Sequence, residues 1–301
     1  MKRLFKHAGI ALGCTALFYA IQLFASSAFL TGEAVGFGIQ AGLSGGTVPD
    51  AQLLSERITE AVLEAYWDWS DVVILLTDLL EIAFFVTLLY GERTARPLRA
   101  ARIVRPRGMA MLWAPAALGL AVFYAVQGGM MLIPEDAPLM QQYVEAASSL
   151  EMGRWPWLSF AATVIGAPVA EELIFRGMIY RHLRKALPAG LGWLALVLQA
   201  VIFGMAHGQL LWAAFTFALA LVLGLLYDYF DSLWPCVLTH LCFNAANYIP
   251  FPLEPDAVGW VILLLSALLL AAVVMLVLAL YHRARPERFA ARENRRAVHC
   301  N

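Results

Sequence analysis

The sequence predicts an all-α, polytopic membrane protein of about eight transmembrane helices, and three observations predict it. Of 301 residues, 61% are hydrophobic and only 14% charged, a balance far more apolar than soluble domains of this size carry. Eight windows are long and apolar enough to cross a hydrocarbon layer about 30 Å thick, which takes ~20 helical residues. Lys and Arg cluster in alternate connections between those windows, the pattern that orients membrane proteins. Four cysteines, Cys14, Cys236, Cys242 and Cys300, lack CxxC spacing and offer no disulfide framework. The lipid bilayer is therefore the first partner, and no nucleic-acid partner is expected.

The first window, 8–30, follows the basic start MKRLFKH. Its apolar stretch is longer than that of a cleavable signal, so it reads as a retained anchor, although small residues at ASSA leave a cleavage reading open. The connection 31–71 carries seven acids against Arg57 alone, with a surface helix at AQLLSERITEAVLEAYWDW whose Leu53, Ile58, Val62, Leu63 and Tyr66 suit the outer interface. Windows follow at 72–90 and 109–133, separated by Arg93, Arg96, Arg99, Arg102, Arg105 and Arg107. Trp155 and Trp157 are interfacial anchors at the outer start of the window 155–176. Further windows lie at 189–207, 209–227, 235–250 and 257–281, and the tail RARPERFAARENRR is basic. Alternation of eight spans gathers every Lys and Arg except Arg57 and Arg154 on one side, so both termini are expected in the cytoplasm.

The stretch PVAEELIFRG places Glu171, Glu172 and Arg176 inside an oily run. A charge at mid-membrane costs roughly 2.5–3.5 kcal/mol, and such residues usually face the bundle interior and serve function. Glu172 and Arg176 are four apart on one helix face, acid first, the favourable order for an ion pair. Adjacent residues point ~100° apart, so Glu171 faces elsewhere, without a cationic partner on its own helix. Desolvated and unpaired, it suits a general base that takes a proton from water and returns it. Acids that merely neutralise arginines on other helices are the bland alternative, stronger for Glu172 than for Glu171.

Two more polar clusters lie in the following windows. FGMAHG sets His207 four residues after Phe203, and THLCFN sets His240 and Asn244 four apart on one helix face. Imidazole holds or polarises water, binds metal or donates a hydrogen bond; a carboxamide donates from its NH₂ to an oxyanion. A lone membrane histidine is more often an interhelical hydrogen bond, but three polar clusters in spans four, five and seven shift the balance towards a site.

In this order and at these separations, EELIFRG, FGMAH and HLCFN resemble the three motifs of the CPBP family of intramembrane endopeptidases, the type II CAAX prenyl proteases with their bacteriocin-processing and immunity-related (Abi-like) bacterial relatives. SLWP at Ser232 to Pro235 adds to the likeness, which covers about 155–250. The resemblance implies a CAAX-protease-like helical bundle that cleaves peptide bonds of membrane-associated, in some cases lipidated, substrates. It divides the chain into membrane helices with their outer loop at 1–154, a catalytic core at 155–250, and a last span with its basic tail at 251–301. A multi-pass protein of a bacterial inner membrane fits it. By the same resemblance Glu171 is the activating glutamate, His207 its water-positioning partner, and His240 with Asn244 the oxyanion stabilisers, with Glu172 and Arg176 in support. No resident cofactor is required on this reading. The alternative is a zinc site on Glu171, His207 and His240, but no HExxH occurs to strengthen it.

The depths of these residues set a test. Glu171 lies sixteen residues beyond Trp155, about 24 Å along a helix, whereas a straight span five carries His207 to the opposite surface. Either PAGLGW is an elbow that delays this helix, or spans five and six meet within the bilayer. Two other functions compete: a catalytically silent scaffold or immunity protein on the same fold, and a small transporter, suggested by Asp78 and Glu81 three apart on span two. The halves show no internal similarity of the kind transporters carry. The ending AVHCN is not a CaaX box.

Overall fold

A computed structural model describes residues 2–43, 51–91, 109–150, 154–230, 232–248, 260–261 and 264–268. Among these residues the secondary structure is helical, with no strand. The helices are α1 (Lys2–Leu43), α2 (Ala51–Gly91), α3 (Met109–Met130), α4 (Pro138–Leu150), α5 (Pro156–Ala186), α6 (Gly192–Met205), α7 (Leu210–Phe230) and α8 (Trp234–Ala246). Four stretches are long and apolar enough to cross a membrane: Lys2–Gln40, Gln52–Leu89, Pro156–Ala186 and Leu210–Phe230. With exposed Leu12, Leu23, Phe24 and Trp113 turned outward, the chain is an integral membrane protein whose surface is made for lipid. Most of the expected last span and the basic tail lie outside the described residues, as does the arginine-rich connection after α2.

Two elements differ from expectation. The acidic helix expected along the outer interface is continuous with span two, so that α2 runs unbroken from Ala51 to Gly91. No Gly or Pro interrupts the sequence between Ala51 and Tyr90, and backbone hydrogen bonding continues wherever nothing breaks it. A short helix, α4, occupies the connection between the third and fourth windows; its Tyr143 packs edge-on against Trp212 and Phe215 of α7.

α5 is the axis of the bundle. Its flanks are covered by α1, α2, α6 and α8, and buried side chains run along it from Ala162 to His182. An aromatic series crosses it: Phe18 of α1 meets Phe175 of α5, Phe175 meets Phe203 of α6, and Phe203 meets His240 of α8, each edge to face with centroids 5.5, 4.8 and 5.9 Å apart. Such contacts add ~0.5–1.5 kcal/mol each to the burial of the rings. At its N-terminal end, Trp155 stacks edge-on with Trp69 of α2 while its backbone N–H donates to Asp71 at 3.1 Å. The helix widens into π turns at Ala161–Gly166 and Glu172–Tyr180. Pro168 supplies a cause for the first, since without an N–H it cannot bond the carbonyl four residues back.

α6 and α7 form a tight antiparallel hairpin. A 3₁₀ turn at Ala189–Leu191 delays the start of α6, which then runs only 14 residues, about 21 Å and well short of a bilayer. Its end reverses through Gly208, whose φ of +71° suits glycine. Gly204 lets the backbones close up: a Cβ there would lie 2.7 Å from the Ala213 carbonyl oxygen.

Candidate functional site

Glu171 and Glu172 stand on α5 where the α-helical turn Ala167–Glu171 passes into the second π stretch. π turns recur at functional sites because the extra residue re-aims neighbouring side chains. Glu172 is wholly buried. Its Oε1 accepts from Arg176 at 2.8 Å and from His240 Nδ1 at 3.1 Å. Arg176 is equally enclosed, with its guanidinium over the Phe203 ring at 4.6 Å and a long bond of 3.4 Å to the Ala220 carbonyl, which also accepts from Gln199 at 2.9 Å. Further bonds support a buried ion pair: His240 and the Ala220 carbonyl supply one each, while Glu172 Oε2 and Arg176 Nε have no hydrogen-bond partner.

Glu171 has a different environment. Its side chain is 17% exposed against 0% for Glu172. Its Oε2 has no hydrogen-bond partner and lies 3.7 Å from His240 Nε2. One imidazole therefore spans both acids: Nδ1–H donates to the structural carboxylate and Nε2 faces the other. A carboxylate can only accept, so the Glu172 bond fixes the orientation of the ring.

His207 sits on the turn after α6 and joins the group through Phe203, four residues earlier. Its Nδ1 bonds the Phe203 carbonyl at 2.9 Å, and its ring lies 5.0 Å from that of Phe203. Because a carbonyl only accepts, Nδ1 carries the proton and Nε2 keeps its lone pair. The 3₁₀ elbow at 189–191 and the 14 residues of α6 give His207 a shorter reach across the bundle than a straight span would. Asn244 donates from Nδ2 to the Thr163 carbonyl at 2.7 Å, within the first π stretch, and Thr163 Oγ1 shares a 2.8 Å bond with Tyr248. Asn244 thus fastens α8 to α5 with one N–H and has a second to give.

Sequence reasoning missed Phe203 as the hub that touches Arg176, His207 and His240; the FxxxH spacing was its only signal. It also missed Thr163, whose role rests on a backbone carbonyl that residue type does not reveal. Among the described residues no three His, Cys, Asp or Glu side chains form a group able to hold a metal ion. The zinc alternative on Glu171, His207 and His240 gains no support from this arrangement.

Residues 153–246 match the model of a family described as type II CAAX prenyl endopeptidase Rce1-like. No curated protein and no solved structure matches the chain. The matched segment contains all three polar clusters and the helices that carry them, α5 to α8, and this part of the chain is similar to CAAX-type intramembrane endopeptidases.

Proposed function

We propose that the protein hydrolyses peptide bonds of membrane-associated protein or peptide substrates, lipidated ones included, by glutamate-activated attack of water, with residues 155–250 as its catalytic core. The observation that carries this reading is the asymmetry of the two glutamates: Glu172 is wholly buried with its Oε1 doubly bonded, while Glu171 is partly exposed.

In this mechanism Glu171 accepts a proton from water while His207, with its proton fixed on Nδ1, accepts a hydrogen bond at Nε2 from the O–H that the water keeps and so aims the nucleophile. The water oxygen bonds to the scissile carbonyl carbon. His240, anchored by Glu172, donates from Nε2 in its imidazolium form to the resulting oxyanion, and the second N–H of Asn244 does the same. Loss of one such donor typically lowers turnover ~10²–10³-fold. The C–N bond breaks as Glu171 passes its proton to the leaving amine. Glu172 and Arg176 hold His240 and take no proton. Basic clusters at the N-terminus, after α5 and in the tail support an inner-membrane orientation with cytoplasmic termini.

The test compares peptides released in cells carrying the wild-type protein or Glu171→Gln. A set of cleavage products present with wild type and missing with the variant is expected. Identical peptide populations would overturn the peptidase reading and leave the fold a scaffold.

A further inference from the structure

A second acidic pair is buried on α2. Asp78 and Glu81 are 6% and 1% exposed, and the mechanism above uses neither. Glu81 is hydrogen-bonded by the Gln22 side chain of α1. Asp78 is pressed instead against α5: a Cβ built on Gly166 would lie 2.5 Å from its Oδ2 and 3.2 Å from its Cγ. The missing side chain at 166 is thus what admits the carboxylate to the α5 backbone, in the π stretch one turn before Glu171. Side chains lean toward the N-terminus of their own helix, which brings the Glu171 carboxylate back toward the level of Gly166. Asp78 lies within electrostatic reach of Glu171, as do Glu172, Arg176 and Glu81. Asp78 Oδ2 and Glu171 Oε2 are both buried without a hydrogen-bond partner. Unbonded buried carboxyl oxygens inside a membrane span cost stability, so an apolar residue at 78 would build a better structural helix.

We propose that Asp78 is a positioning residue for Glu171, its Oδ2 bridging to the Glu171 carboxyl through a single shared hydrogen so that the working glutamate is held toward its water. The inference rests on the peptidase reading and names a residue of α2, outside the family match, as part of the site. Asp78→Leu, isosteric and apolar, is expected to lower kcat ~30-fold with KM unchanged, the size of one charge-assisted hydrogen bond. Asp78→Asn, whose NH₂ still donates to Glu171, is expected to keep about a third of kcat. The substrate is a synthetic peptide spanning a cleavage site recovered in the cellular comparison, assayed with full-length protein in proteoliposomes. Thermal midpoints no lower than wild type for both variants separate the loss from unfolding. If Asp78→Leu does not fold, Gly166→Ala, whose Cβ displaces Asp78, takes its place against Asp78→Asn. A kcat for Asp78→Leu or its substitute within twofold of wild type, equal losses in leucine and asparagine variants, or a loss confined to KM would overturn the inference. Turnover by Glu171→Gln would instead overturn the glutamate-activated reading itself, whereas an inactive Glu171→Gln beside a fully active Asp78→Leu would remove Asp78 alone.

Discussion

α1 and α5 are both long apolar helices in contact along the bundle, yet half of the apolar window of α5 is buried within the protein against 17% of that of α1. The difference shows where a membrane protein can keep charge. On a helix that faces lipid, a polar group finds no partner and its cost is uncompensated. On a helix walled in by others, neighbours supply the partners: Arg176 finds Glu172 on its own helix, Phe203 on α6 and Ala220 on α7, while His240 of α8 completes Glu172.

Changes at the walled-in face should therefore be costly, and those at the lipid face cheap. Arg176→Ala strips Glu172 of its guanidinium and leaves a buried charge short of a partner; it should destabilise the fold by about 3–5 kcal/mol, read as a large fall in thermal midpoint in detergent. Thr239→Val removes the 2.9 Å bond that its hydroxyl donates to the Pro115 carbonyl between α8 and α3, at near-constant volume, and should cost ~1 kcal/mol. Leu23→Ala, on the exposed face of α1, should stay within ~0.5 kcal/mol of wild type. A Leu23→Ala loss as large as that of Arg176→Ala would break the contrast between the two helices.

Much of the architecture was legible because hydrocarbon imposes long helices whatever else the residues do, and four-residue spacing was enough to see that Glu172 and Arg176 share a face. What stayed hidden has a common cause. The first π turn of α5 follows from backbone bonding around Pro168, and no side-chain pattern signals either. The unbroken α2 was divided in the reading because the acids from Glu56 to Asp71 suited a separate surface helix at the interface; an acidic helix continuing past the apolar layer has the same composition. Two contacts between distant helices, Asn244 to the Thr163 carbonyl and His240 to Glu172, were out of reach for the same reason: spacing within a helix says which residues share a face, and only the packing says what that face meets. Asp78 was visible as an oddity, but its neighbour is a glycine, and glycine marks close approach without naming what approaches.

The central claim is that two adjacent glutamates divide the work, one reacting and one holding the bundle. It is tested most directly by measuring turnover and thermal midpoint side by side for Glu171→Gln and Glu172→Gln. The account predicts that Glu171→Gln loses turnover by ~10²–10⁴-fold at an unchanged midpoint, while Glu172→Gln, which leaves Arg176 without its anion, lowers the midpoint sharply. Turnover surviving in Glu171→Gln, or a collapse of stability there with Glu172→Gln unaffected, would contradict it.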